Sequence, residues 1–166
     1  MSSISCEFDG TFNIVQLKYA GEISCKIDTG AARTVMSLNL LSVLLNYSKR
    51  KLLEFLTTVN SDKISFITYS GDKFDAIPCR LSNVRIGDVI LKQFLFYVTT
   101  ANVNTYCLIG MDFVRCCKIS GNPLEGILLE KLIEQDYLNS NVVELDDLVV
   151  KTDTFLSGAN DMVPNS

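Results

Sequence analysis

Cys25-Lys-Ile-Asp-Thr-Gly-Ala31 runs the end of an apolar strand straight into a short acidic turn. Just upstream, Phe12-Asn-Ile-Val-Gln-Leu-Lys-Tyr19 and Glu22-Ile-Ser-Cys-Lys-Ile27 both alternate apolar and polar residues around Ala20-Gly21. That pattern predicts a β-hairpin whose second strand delivers Asp28 at its end. In such a turn neighbouring backbone N–H groups hold the carboxylate, Thr29 can hydrogen-bond to a partner loop, and Gly30 lets another backbone come close. Two such carboxylates side by side cannot both ionise and share one proton. One then acts as a base towards water and the other as an acid towards a carbonyl. The tripeptide alone equally describes an Asx-turn in which Asp28 only satisfies local backbone, so its surroundings decide.

Downstream, Ser37 is placed to cap a helix over about 38–56, with Leu41, Leu44, Leu45, Leu52, Leu53 and Leu56 on one apolar face. From Lys63 the pattern returns to strands. Ile64-Ser-Phe-Ile-Thr-Tyr69 and Asp75-Ala-Ile-Pro-Cys-Arg-Leu81 flank the turn signal Ser70-Gly-Asp-Lys73. Val84-Arg-Ile86, a Gly87-Asp88 turn and an apolar run over 89–98 follow. Cys107-Leu-Ile109 reads as a short buried strand. Gly110-Met-Asp112 comes next, with Asp112 as the cap of a short helix at about 113–117. Gly121-Asn-Pro123 breaks the chain before a strand near 126–133, and 142–143 and 148–150 offer one more. Short strands at close spacing with few helices predict a mainly β fold, a small closed barrel.

Composition narrows the chemistry. The chain has 166 residues, 48% hydrophobic and 20% charged, enough for one well-packed core. Residues 1–135 carry 14 Lys/Arg against 13 Asp/Glu, whereas 136–166 carry Lys151 against six acids. This divides the chain into a domain at 1–135 and an acidic extension at 136–166, partly ordered or supplying a strand. A net charge of −4 gives no reason to expect nucleic acid or an anionic membrane as partner. The absence of histidine excludes a Ser-His-Asp triad, a Cys-His dyad and a His-ligated metal. None of the six cysteines forms a C-x-x-C pair, so no metal and no cofactor is expected. The first residues lack the basic start and apolar run of a signal peptide, and no apolar stretch is long enough for a span. A cytoplasmic location with reduced, core-filling thiols is the expectation.

Ile27-Asp-Thr-Gly-Ala-Ala-Arg-Thr-Val-Met36 resembles the active-site segment of retropepsin-like aspartic proteases, in which an apolar residue precedes Asp-Thr-Gly-Ala and Thr and apolar residues follow. Cys107-Leu-Ile-Gly-Met-Asp-Phe-Val114 is similar to that family's second signature, two apolar residues and a glycine leading into a helix beneath the catalytic loop. Phe66-Ile-Thr-Tyr-Ser-Gly-Asp-Lys-Phe74 sits where the family places its flap hairpin. The resemblance covers residues 12 to 117 in order and implies an aspartic endopeptidase. It makes Asp28 catalytic, with Thr29, Gly30 and Ala31 supporting the loop. It puts Thr68, Tyr69, Ser70 and Gly71 at the flap, and Leu108, Ile109 and Gly110 beneath the loop. Two departures stand out: the 38–56 helix exceeds anything in the minimal viral enzymes, and the flap tip carries a single glycine, Gly71.

Only one Asp-Thr-Gly occurs; Thr152-Asp-Thr-Phe155 has Phe where Gly is required. The resemblance therefore implies a homodimer about a two-fold axis, with 126–133 or 142–150 as candidate dimer strands, and a peptide or protein substrate. Three other readings compete. One keeps the fold as a silent dimerisation or peptide-binding module, though such a module has no need of Asp-Thr-Gly. Another is an unrelated β-barrel interaction domain. The weakest is a thiol enzyme on Cys116-Cys117, which has no base beside it.

Overall fold

Residues 3–59, 63–67, 71–100, 106–136 and 141–149 are described in a computed structural model of the chain. The first strands are β1 (Ser3–Phe8), β2 (Asn13–Lys18), β3 (Glu22–Ile27) and β4 (Val35–Ser37). Two helices follow, α1 (Leu38–Leu45) and α2 (Lys49–Thr58), then β5 (Ile64–Ile67), β6 (Lys73–Ile86), β7 (Val89–Thr99) and β8 (Cys107–Ile109). A one-turn helix α3 (Met111–Val114) leads to β9 (Cys117–Asn122), β10 (Gly126–Lys131) and β11 (Val143–Glu144).

β2 and β3 form the expected hairpin, in register from Lys18 opposite Glu22 to Asn13 opposite Ile27. β6 and β7 form a longer one around Gly87-Asp88, from Ile86 opposite Val89 to Ala76 opposite Thr99. The pairing runs β6-β7-β4-β8-β3-β2, and β2 pairs back onto β6, so six strands close into a barrel. This is the mainly β, closed-barrel fold that the strand spacing predicts. Outside the barrel, β5 pairs with the start of β6, β11 lies parallel to β6, and β1, β10 and β9 extend the sheet from β2. Inside, Phe94 stacks on Phe96 at 5.2 Å and meets Phe113 of α3 edge-on at 6.1 Å, which ties α3 into the barrel core.

The helical insertion differs from its sequence reading: 38–56 is two helices, not one. Asn46 adopts the left-handed conformation (φ 49°, ψ 52°), and its N–H donates to the Ser42 and Val43 carbonyls, ending α1. Ser48 then opens α2, accepting from the Lys51 N–H. Leu53, one residue past Leu52, is 40% exposed and turned out of the buried stripe towards solvent, but Leu41, Leu44, Leu45, Leu52 and Leu56 are buried as expected. Burial of this kind contributes about 2 kcal/mol for each side chain. α1 seats directly on the β2–β3 turn, where the Ala20 and Gly21 N–H groups donate to the Leu44 carbonyl. A side chain at Gly21 would overlap the Val43 carbonyl.

Other boundaries also shift. Residues 75–81 and 84–86 belong to one continuous strand, because Asn83 takes a positive φ of 56° without breaking the ladder. The short helix lies at 111–114, ahead of the expected 113–117. β1 and β9 were not expected as strands, and 145–149 is helical where 148–150 was read as strand. Residues 141–149 rest against the barrel: Val143 and Leu145 are buried, Glu144 pairs with Arg80, and the Asp146 carboxylate accepts from the Ser82 N–H. Among the described residues no helix is long and apolar enough to cross a membrane.

Candidate active site

Asp28 follows the last residue of β3. Its own N–H donates to the Ile109 carbonyl at 2.9 Å, and its carbonyl accepts from the Ala31 N–H at 3.1 Å. Its carboxylate accepts from the Gly30 N–H at 2.9 Å, which closes a tight turn. The Asp28 side chain is half-buried, while Thr29 and Gly30 are exposed. The carboxylate is thus pinned at its base and open at its tip.

What pins it is the second motif. β8 lies parallel to β3, with Lys26 opposite Leu108 and Ile27 opposite Ile109, and antiparallel to β4 through Val35 and Leu108. Leu108, Ile109 and Gly110 therefore run directly alongside the approach to Asp28. Gly110 permits the contact: a β-carbon there would sit 2.8 Å from the Ala31 carbonyl oxygen and overlap the carbonyl of Arg33. Beyond it, the Met111 N–H donates to the Ala31 carbonyl at 2.8 Å and the Asp112 N–H to the Ala32 carbonyl at 3.2 Å. The N–H groups at the start of α3, which have no partner within the helix, are spent on the loop.

Asp112 does not cap α3. The cap position is Gly110, which offers no side chain, and Asp112 lies in the first turn. Its carboxylate instead crosses to Thr34, accepting from the Thr34 N–H at 3.0 Å and the Thr34 hydroxyl at 2.7 Å, and also takes the Phe113 N–H at 2.8 Å. The Thr34 hydroxyl in turn accepts from the Gly110 N–H at 3.1 Å. Burial raises the Asp112 carboxyl above its usual range, outweighing the Thr34 and Phe113 hydrogen bonds and the Arg33 charge, which act to lower it. The sequence reading missed Thr34 and Asp112 as a pair; the one signal was a threonine at the start of the short apolar stretch Val35-Met36. With Asp112 committed to Thr34, Asp28 is the carboxylate left open on this loop.

Of the residues expected at a flap, Thr68, Tyr69 and Ser70 lie outside the described residues. Gly71 is exposed with φ +88°, and nothing lies within 4 Å of a β-carbon built on it. The hairpin beneath is in register from Ile67 opposite Lys73 to Ile64 opposite Ala76, with the Ser65 hydroxyl bonded across to Asp75 at 2.9 Å. The thiol alternative finds no support: burial raises the Cys116 thiol and takes Cys117 up to about 11, against thiolate formation. Among the described residues no cluster of His, Cys, Asp and Glu is suited to a metal.

No family model matches the sequence, and no curated protein matches it. Among solved structures the chain is similar to a retropepsin-like aspartic protease from Rickettsia conorii. The two share 19% sequence identity over 77% of this chain and 90% of that one, with a TM-score of 0.52. With its closed barrel, its Asp-Thr-Gly turn at the end of β3 and its apolar-Gly segment leading into α3, the chain has the retropepsin-like fold.

Proposed function

We propose that the chain is an aspartic-type endopeptidase whose active site forms from two copies, each contributing Asp28. The turn at Asp28 carries this reading: its backbone is clamped from below by residues 109–112, and its carboxylate is left accessible. Rigid placement of a reacting group with an open approach is what catalysis by positioning requires. In this mechanism the two Asp28 carboxylates hold one proton between them and a water molecule. The ionised member takes a proton from water as the water oxygen bonds to the scissile carbonyl carbon, and the other member donates its proton to the carbonyl oxygen. The tetrahedral diol then collapses. The carboxyl that took the water proton gives it to the amine nitrogen as the C–N bond breaks. A diol hydroxyl passes its proton to the other carboxylate as the new C=O forms, which restores the pair. Thr29, Gly30 and Ala31 hold the loop, and the flap role that the sequence resemblance implies for Thr68, Tyr69, Ser70 and Gly71 is to cover the substrate.

The second copy is needed because the sequence holds one Asp-Thr-Gly. Both edges of β10 are taken by β1 and β9, and Val143–Glu144 pairs with β6, so among the described residues neither 126–133 nor 142–150 offers a long free strand edge. The outer edge of β9 is unpaired among the described residues, and β9 follows α3, which grips the catalytic loop. Ile119, Leu124, Leu128, Leu132 and Ile133 are all exposed around it. These features favour antiparallel pairing of β9 with its symmetry mate across a two-fold axis.

The test compares cleavage of a mixed peptide library by the wild-type protein and by Asp28→Asn, with the size of each measured in parallel. Loss of cleavage with assembly unchanged is expected. Equal cleavage by the variant would end the proposal, and peptide binding without cleavage by the wild type would favour the silent module.

A further inference from the structure

We propose that Arg33 makes the cleft select peptides carrying a carboxylate side chain close to the scissile bond. This inference rests on the peptide-cleft reading of Asp28 given above. Between Asp28 and Thr34, Arg33 is the one other charged residue. Its backbone is fixed relative to Asp28: its carbonyl lies against Gly110, and the flanking Ala32 carbonyl and Thr34 N–H are bonded to α3 residues. Its side chain is exposed.

The guanidinium carbon stands 5.9 Å from the centre of the Tyr97 ring. Tyr97 belongs to a small apolar cluster with Val35, Ala76 and Leu95, against which Ile64 and Phe74 pack from the two strands of the flap hairpin. Arg33 therefore lies between the catalytic loop and the root of that hairpin, in the strip an extended peptide would cross. An aromatic face beneath a guanidinium holds its plane while leaving its N–H fork free.

That fork has no carboxylate bound to it among the described residues. The Arg33 charge reaches Asp112 only weakly, and Asp112 spends its oxygens on the Thr34 N–H, the Thr34 hydroxyl and the Phe113 N–H. Arg33 is thus a positioned cation with donors to spare. Without it, a Glu or Asp side chain entering beside a pair of catalytic carboxylates would be repelled. A bidentate charged hydrogen bond from Arg33 reverses that preference.

Two measurements test this independently. In the first, cleavage products of a peptide library are profiled for wild type and Arg33→Glu. Enrichment of Glu or Asp at one fixed position from the cut is expected for wild type, with Lys or Arg replacing it for R33E. In the second, peptides matched except for Glu, Gln or Lys at that position, or at each flanking position where no cleavage guides the choice, are titrated onto Asp28→Asn protein. The Glu peptide should bind ~10-fold more tightly than the Gln peptide, and adding R33E should reverse the order. Cleavage without acidic enrichment, or equal or absent binding of the Glu and Gln peptides, would overturn the role of Arg33. Selective binding without any cleavage would overturn the peptidase reading and leave the Arg33 site standing.

Discussion

Gly110 has an unremarkable φ of −96°, so neighbours and not backbone strain demand glycine there. The Ala31 and Arg33 carbonyls occupy the space a methyl group would need. Gly110→Ala is expected to cost about 3 kcal/mol by overpacking and to lower peptidase activity by displacing the loop; thermal melts and peptide cleavage check both. Ala31 neighbours the Asp28 turn, and its side chain has no donor to offer a carboxylate. In Ala31→Ser a hydroxyl would favour the ionised form, so the activity optimum should move to lower pH; an unchanged or raised optimum in the pH–rate profile contradicts this. Asp112 supplies a second pH effect. Its folded pKa is raised, so over the interval between its unfolded and folded values the native state binds the proton more strongly. Its contribution to stability therefore falls as pH rises through that interval. Asp112→Asn should remove this component, flattening the stability–pH curve in denaturant titrations while weakening the Thr34 clamp.

At the scale of elements, β9 has five of its six residues exposed and one edge without a partner among the described residues. An exposed strand of this kind, bordered by Ile119 and Leu128, is either an aggregation hazard or an interface. Ile119→Lys adds a charge beside that edge without touching Asp28. It should shift the protein from dimer to monomer in sedimentation at micromolar concentration, with cleavage lost and circular dichroism unchanged. Retained dimer with full activity would place the interface elsewhere. The α1–α2 pair shows a different element-level rule. Its leucine periodicity runs on through Asn46, but the left-handed Asn46 and the Ser48 cap turn the chain between the two halves. Across the two shorter helices Leu41, Leu44, Leu52 and Leu56 stay buried, with Gly21 admitting α1 against the first hairpin.

For the whole molecule, the proposed mechanism needs two copies, since each chain carries one Asp-Thr-Gly and so offers one Asp28 to the pair. Activity should therefore depend on protein concentration. Specific activity ought to fall on dilution, following the monomer fraction measured by light scattering, and to recover on reconcentration. Constant specific activity down to the monomer range would show that one copy suffices.

What the sequence determined is local. The alternation of β2 and β3, the Asp-Thr-Gly turn, the Gly87-Asp88 hairpin and the apolar-Gly step at 108–110 each lie within a few residues, where periodicity and turn chemistry act. These were enough to indicate a closed β barrel and to single out Asp28. The absence of histidine narrowed the chemistry further. What only the tertiary structure decided depends on residues far apart in the chain. Thr34 meets Asp112 across 78 positions, and β2 closes the barrel on β6 through Leu17 and Ile86. β9 carries almost no apolar alternation because it lies at an edge, so its strand character comes from pairing with β10. Arg33 reads as one more loop cation until Tyr97 and the β5–β6 pair are set beside it. A pattern within one segment reports which face that segment buries; what meets that face is set by the packing of the whole chain.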